Sequence, residues 1–381
     1  MPSYQEIPPI HPKLLPYIQR YVHISGEGAV PAKKIHPKTG ATIFLDFNGW
    51  FSNGKDHFNK GLSGLHETAY HATSFANTTD RLMIWFTPFG LSRFTKIPVN
   101  DFTNQIVDLE AVLGLKGKTI FITGGSAGIG KATAIAYGKE ADTQVALSYF
   151  KNKEKAEDIV HNIEENGGKA MAVFMDMGDP SSIEKAINTV LKKWNGIDIL
   201  VNNAVHWGNP ANRGKKLEEM PLEQWEEMFK INLLGTVKII QMVVPHMRQK
   251  KWGRIINLSS DIAKDSMQGS GPYGSLKAAL FGLTANLVEE LSADGILSNV
   301  VLPSWTLTER AKNFFPESFQ EAAIRAFPTR RVTEPEDVAS LILYLGSAAN
   351  GHVNGEHIMV TGKGSQPMLS SLFKEHLAKR S

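Results

Sequence analysis

Residues 118–130 read Lys118-Thr-Ile-Phe-Ile-Thr-Gly-Gly-Ser-Ala-Gly-Ile-Gly130. The apolar run Ile120, Phe121 and Ile122 predicts a short buried strand that ends in a glycine-punctuated turn. Ile129-Gly-Lys-Ala-Thr-Ala134 then has the composition of an opening helix. Strand, glycine turn and helix in that order make a phosphate cradle. Glycine lets the backbone turn tightly and approach a ligand, and a helix N-terminus offers unpaired N–H groups with partial positive charge. The spacing is Thr-Gly-x-x-x-Gly-x-Gly, with Gly124, Gly128 and Gly130. It differs from the common G-x-G-x-x-G fingerprint. A glycine loop without a ligand is the plain alternative, and the rest of the chain decides.

Downstream, strand and helix patterns alternate. Strands are predicted at 119–122, 145–149, 170–174, 197–201, 253–258, 297–302 and 357–360, with helices at 153–166, 181–194, 222–248 and 273–293 among them. This alternation predicts a parallel sheet with helices on both faces and a ligand at the strand C-terminal ends. Residues just past each strand therefore carry the argument. Asn202-Asn-Ala204 follows the fourth strand and Ser260 the fifth, and Tyr273 and Lys277 lie one helical turn apart on one face. An ammonium beside a phenol favours the phenolate, so Lys277 is expected to lower the pKa of Tyr273 toward a value useful in proton transfer.

Together these residues resemble the short-chain dehydrogenase/reductase family over residues 115–366, collinearly, with 3-oxoacyl-carrier-protein reductases as the nearest type. The resemblance implies a Rossmann-type doubly wound fold and a nicotinamide cofactor. It implies Asn232, Ser260, Tyr273 and Lys277 as the catalytic four, with Ser260 and Tyr273 on the substrate carbonyl and Asn232 on a water-linked proton path to Lys277. It places the cofactor against Gly124, Ser126, Gly128, Ile129, Gly130, Tyr149, Lys151, Asp176, Met177, Asn203, Ala204, Pro303 and Thr306, besides Tyr273 and Lys277. Three departures bear on cofactor pose and substrate shape. Val205 and Ser304 stand where the family has glycine, and Val360-Thr-Gly-Lys-Gly364 replaces an Asp-Gly-Gly pattern.

The end of the second strand, Leu147-Ser-Tyr-Phe-Lys-Asn-Lys153, has no acid for the ribose 2′-hydroxyl of NAD and carries two lysines. That favours NADP(H), with NAD possible; Lys151 and Lys153 as solvated helix-start charges is the alternative. Trp305, Phe314, Phe315, Phe319 and Phe327 follow the sixth strand. They read as a lid over Trp207 and Met267 suited to an acyl, aromatic or alicyclic ketone, or else as ordinary core or an oligomer contact.

Residues 1–114 have another texture. Segments 41–47 and 81–87 are β-branched and aromatic between Gly, Asn and Asp, which predicts antiparallel strands, and residues 102–113 predict a helix stopped by Gly114. His11-Pro-Lys-Leu-Leu-Pro-Tyr-Ile18, Trp85-Phe-Thr-Pro-Phe-Gly-Leu-Ser-Arg-Phe94 and Ile106-Val-Asp-Leu-Glu-Ala-Val-Leu-Gly114 resemble the β-rich, cupin-like N-terminal sensor domain of AraC-type regulators. The DNA reader of those regulators has no counterpart here. His11, His23, His36, His57, His66 and His71 show no metal-ligand spacing, so no metal is expected. Phe44, Phe47, Trp50 and Phe51 read as core or barrel lining.

The 381 residues hold 41 basic and 38 acidic side chains, a net charge of +3, which gives no reason to expect nucleic acid as a partner. There is no cysteine, hence neither disulfide nor thiolate metal site. No leader or membrane span is evident, and a cytoplasmic homodimer or homotetramer acting on a small-molecule or acyl carbonyl is expected. A non-catalytic nicotinamide- or metabolite-binding sensor is the second reading. Residues 367–381 read as a tail.

Overall fold

The computed structural model describes residues 113–140 and 142–362 in full, together with the backbone of ten strands between Ser3 and Asp108. The side chains named above in the first 112 residues, and everything past Gly362, lie outside the described residues. The chain divides into two compact units, Met1–Gly114 and Leu115–Ser381.

In the first unit Ser3–Ile7 (β1), Ile18–Glu27 (β2), Lys33–Ile35 (β3), Thr42–Asp46 (β4), Phe51–Ser52 (β5), His57–Phe58 (β6), Lys60–Ser63 (β7), Tyr70–Ser74 (β8), Thr78–Phe86 (β9) and Ile106–Asp108 (β10) form two antiparallel sheets. Their orders are β1-β2-β9-β4-β7-β10 and β3-β8-β5-β6. The helix predicted over 102–113 is corrected here. Ile106, Val107 and Asp108 pair with Ser63, Leu62 and Gly61, so β-branched residues at a sheet edge override the helical period.

The second unit is built on a seven-stranded parallel sheet. Its strands are Thr119–Ile122 (β11), Gln144–Tyr149 (β12), Lys169–Phe174 (β13), Ile199–Asn202 (β14), Gly253–Leu258 (β15), Ile296–Pro303 (β16) and His357–Val360 (β17). The order β13-β12-β11-β14-β15-β16-β17 makes it Rossmann-type, and the winding reverses between β11 and β14. All residues of β11, β14 and β15 are buried, as strands covered on both faces must be.

The helices are Gly128–Gly138 (α1), Lys153–Glu165 (α2), Pro180–Trp194 (α3), Leu222–Met228 (α4), Gly235–Lys250 (α5), Ile262–Asp265 (α6), Gly271–Leu291 (α7), Glu309–Phe314 (α8), Glu317–Ala326 (α9) and Pro335–Gly346 (α10). α3 shows how local chemistry sets the ends. Asp179 accepts from the Ser181 amide at 2.9 Å, Pro180 opens the first turn, Lys192 and Lys193 sit in the last, and Asn195 ends it at φ 54°. Its stripe Ile183, Ala186, Ile187 and Val190 faces the sheet.

α4 and α5 are joined by a π-helical turn, Phe229–Leu234. By length and composition this 29-residue helix, Leu222–Lys250, is apolar enough to cross a membrane. Ile239, Ile240, Val243 and Met247 on it belong to the core cluster with Phe121, Leu200 and Ile255, so its apolar stripe is already occupied by the sheet.

Asp198 ties this frame together before β14. Its buried carboxylate accepts from the Thr119 amide at 2.9 Å and pairs with Lys250 at 2.8 Å. Asp198→Ala leaves the Thr119 N–H buried without that acceptor. The expected loss is about 1–3 kcal/mol, read from the urea midpoint of this unit at unchanged m.

Candidate active site

The cleft opens at the C-terminal ends of β11 and β14, where the sheet reverses. Thr123, fully buried, accepts through Oγ1 from the amides of Asn203 and Ala204, both at 2.9 Å. Asn203 Nδ2 donates back to the carbonyls of Thr123 and Gly124, at 2.9 and 3.0 Å. The Gly124 amide donates to Ser148 Oγ at 3.1 Å. Two glycines make this closeness feasible. A Cβ on Gly124, which has φ +65°, would lie 2.9 Å from Ala204 Cα, and one on Gly130 would lie 2.4 Å from the Gly124 carbonyl oxygen. α1 has no side-chain cap and no acid in its first turn. Its end keeps the positive character an anion needs, so the residues present fit a dinucleotide pyrophosphate.

The other expected cofactor positions line the same rim with varied freedom. Tyr149 ends β12 against Phe174, and Lys151 lies over the ring of Phe150 at 5.7 Å. Asp176 uses Oδ1 to accept from the Gly178 amide at 2.8 Å. A Cβ on Gly235 would meet the Met177 carbonyl oxygen at 2.5 Å, which fixes that end of β13 on α5. Pro303 ends β16 and accepts from the Asp261 amide, and Thr306 Oγ1 donates to the Ser304 carbonyl. Ser304, one of the departures, has its buried hydroxyl 3.3 Å from Thr333 Oγ1, so the added group is accommodated.

Ser260, Tyr273 and Lys277 come together beside this cleft. Helix α7 buries Leu276, Lys277, Leu280, Thr284, Leu287 and Leu291, which puts Lys277 on the core stripe and Tyr273 one turn earlier. The Tyr273 hydroxyl is hydrogen-bonded to Ser260. Lys277 Nζ donates to the Leu258 carbonyl at 2.5 Å and lies 5.8 Å from the centre of the Tyr273 ring. Burial pushes the Lys277 ammonium down to about 8.

The expected lowering of Tyr273 by Lys277 is corrected. Burial of its hydroxyl holds the phenol above the ordinary tyrosine value; the Ser260 hydrogen bond lowers it in part, and the charge of Asp261 adds a lesser upward push. A phenolate loses more by leaving water than the neighbouring cation, itself held toward neutrality, returns. Asp261 is the group the sequence reading passed over. It is 1% exposed and accepts from Ser260 Oγ at 3.1 Å. Its one visible signal is an acid directly after the serine at a strand end.

Asn232 sits in the π-helical turn, where backbone pairing is irregular and side chains are re-aimed. Its Oδ1 accepts from the His206 amide at 2.7 Å, and Nδ2 donates to the carbonyls of His206 and Met228, at 3.0 and 2.9 Å. The amide thus clamps the loop after β14. That loop delivers Trp207, whose indole stacks on the Tyr273 ring at 5.1 Å and 17°.

The aromatic segment after β16 divides into two roles. Phe319 and Phe327 are buried and pack with Trp305 and Phe315, forming a small core of its own. The side chain that reaches Trp207 is Arg310, with Cζ 5.0 Å from the ring centre. Met267 lines a separate cavity of about 380 Å³ with Trp225, Met220, Leu217 and Lys215. Among the described residues no three His, Asp or Glu side chains are grouped to hold a metal.

Residues 5–108 match a family described as a domain of unknown function (DUF6597). The second unit aligns with 3-oxoacyl-[acyl-carrier-protein] reductases. That of Thermotoga maritima is 33% identical over 248 residues, 65% of this chain and 98% of the relative. That of Aquifex aeolicus is 34% identical over 250 residues, 65% and 97%. Among solved structures, a 7 alpha-hydroxysteroid dehydrogenase complexed with NADH and 7-oxo glycochenodeoxycholic acid superposes with TM-score 0.61 at 30% identity, covering 66% of this chain and 96% of the other. A dehydrogenase/reductase from Sinorhizobium meliloti gives 0.59 at 34%, with the same coverage. Residues 118–318 match the short chain dehydrogenase family, and with the cleft and side chains above, the chain belongs to that family of nicotinamide-dependent oxidoreductases.

Proposed function

We propose that the protein is an NADP(H)-dependent carbonyl reductase, or alcohol dehydrogenase in the reverse direction, acting on 3-oxoacyl-like ketones. The observation that carries the reading is Ser260, Tyr273 and Lys277 gathered beside a glycine turn that fits a pyrophosphate. When bound, the nicotinamide supplies or takes up hydride. The chain's own residues do the rest. The hydroxyls of Ser260 and Tyr273 hold the substrate oxygen, and Tyr273 donates its proton as that oxygen gains negative charge. Donors fixed in advance meet the developing charge without reorganising. Lys277, titrating near 8, returns a proton to Tyr273, and Asn232 extends that path through water while its amide holds the Trp207 loop.

Support for NADP(H) comes from the end of β12, where Lys151 and Lys153 stand and no acid does. Asp142 lies before β12 and is engaged with Lys116 and Lys169, at 3.7 and 3.9 Å, away from the ribose end. We infer a cytoplasmic homodimer or homotetramer joined through α4–α5 and α7, to be checked by size-exclusion chromatography with light scattering.

The test is oxidation of NADPH and NADH in the presence of 3-oxoacyl thioesters and aromatic ketones. Turnover that prefers NADPH is expected. Tight cofactor binding with no turnover on any ketone sinks the enzyme reading in favour of a nicotinamide sensor.

Asp261 adds a pH signature. Its charge helps hold Tyr273 high, so Asp261→Asn lowers the phenol's pKa and increases the phenolate fraction at a given pH. Alcohol oxidation needs Tyr273 as a base. Its alkaline-rising limb in kcat/KM is therefore expected to move to lower pH, and an unmoved limb refutes Asp261's influence.

A further inference from the structure

The Trp207 ring that covers Tyr273 also carries a cation. Arg310, from the first turn of α8, lies over the indole at 5.0 Å, and Arg213, from the loop after β14, lies over the Phe314 ring at 5.9 Å. The two guanidiniums feel each other. The charge of Arg213 adds to burial in holding Arg310 below the ordinary arginine value.

Among the described residues neither side chain donates a hydrogen bond or pairs with a carboxylate. The acids nearby are taken. Glu309 is held by Lys131 and Lys155 at 3.6 and 3.2 Å, and Glu227 stands 3.3 Å from His206 Nε2. The same loop adds Lys215, which donates to Asn212 Oδ1 at 2.8 Å.

Two like charges gathered at α8, over the rings of Trp207 and Phe314, are unfavourable unless an anion joins them. A guanidinium held over a ring is still able to use its N–H groups, which match a carboxylate or phosphate in bidentate geometry.

We propose that Arg310 and Arg213 form an oxyanion-binding subsite at the mouth of the active site, so that the preferred substrate is a ketone or secondary alcohol bearing a carboxylate or phosphate. The inference rests on the reductase reading for its position but not for its measurement. Arg310 serves it directly. Arg213 adds charge from its place over the Phe314 ring, one turn along α8 from Arg310, and Trp207 sets the spacing between the anion and the carbonyl held at Tyr273.

The experiment compares matched pairs: 4-oxo-4-phenylbutanoate with its methyl ester, and 3-acetylphenyl phosphate with 3-acetylphenol. Each is followed in NADPH oxidation and, separately, in calorimetric binding to the NADPH-loaded protein. The parent is expected to favour the anionic member of at least one pair by about ten- to hundredfold in kcat/KM and in affinity. The pair with the larger ratio tells carboxylate from phosphate. Arg310→Met is expected to bring that ratio near one by raising KM for the anion alone, with the neutral ketone and NADPH affinity unchanged. Arg213→Met is expected to reduce it partly, and Arg310→Lys to restore part of it. Rising salt is expected to erode the preference in the parent and not in Arg310→Met.

Equal handling of both members by the parent overturns the proposal. So does an Arg310→Met protein that loses both members alike, which assigns the arginine to holding Trp207. A fall in NADPH affinity in that variant overturns it too, since the anion is then the cofactor's. Anion binding that depends on Arg310 without any turnover upholds the subsite and rejects the reductase reading. Turnover without anion preference does the reverse, and absence of both turnover and anion binding rejects both.

Discussion

A Tyr273→Phe protein is expected to bind NADPH as the parent does and to lose about 10²–10⁴ in kcat. The substitution removes one oxygen and leaves the ring. The ring is what stacks on Trp207 at 5.1 Å, so the wall of the cleft should survive. Losing the hydroxyl also removes a buried polar group whose partner, Ser260, keeps the Asp261 carboxylate at 3.1 Å, so no orphaned donor results. A stability loss is therefore not the anticipated cause of the defect. Single-turnover oxidation of bound NADPH separates chemistry from product release. Activity within a few-fold of the parent would mean that the substrate oxygen takes its proton from elsewhere, and the assigned role of the phenol would fall.

Gly130→Ala is expected to weaken NADPH binding by about five- to 150-fold, the affinity equivalent of the 1–3 kcal/mol that an overfilled site typically costs. The new methyl would lie 2.4 Å from the Gly124 carbonyl oxygen and 2.6 Å from Asn203 Nδ2. Neither neighbour is a flexible side-chain end. Asn203 Nδ2 is fixed by donating to the carbonyls of Thr123 and Gly124, and moving it opens the turn that shapes the cradle. Gly351→Ala is the control, because a protein changed at an exposed glycine after α10, with nothing within 4 Å of the new methyl, should bind cofactor normally. Fluorescence titration of NADPH reads both. Unchanged affinity in Gly130→Ala would show that the turn yields cheaply.

The sheet was legible because its strands are short buried runs bounded by polar residues. All seven fell within two residues of their predicted ends, as with the expected 253–258 and the observed Gly253–Leu258. Tyr273 and Lys277 were legible because a one-turn spacing on a helix guarantees a shared face. What escaped the sequence depends on distant segments. Arg213 lies on a loop and Arg310 in α8, almost a hundred positions apart, and no local pattern marks two side chains that only the fold brings to the same helix. The direction of the Tyr273 shift also escaped, since spacing reveals a neighbouring cation but not the depth at which both groups are buried. The aromatic stretch 305–327 reads alike as lid or core by composition, and only packing separated Phe319 and Phe327 from Arg310. At 106–108 a weak helical period lost to pairing with β7, a partner more than forty positions away.

The wide turn at Phe229–Leu234 stores one more residue than a regular helix of the same height requires. Successive residues of a helix are rotated by about 100°, so shortening this stretch by one would swing everything on its N-terminal side through that angle relative to α5. The hydrogen-bond ladder would close more regularly, while Asn232 would face away from His206. This is a place where a gain in backbone regularity dismantles the cleft, so chain length here is constrained by the site it serves and not by the scaffold.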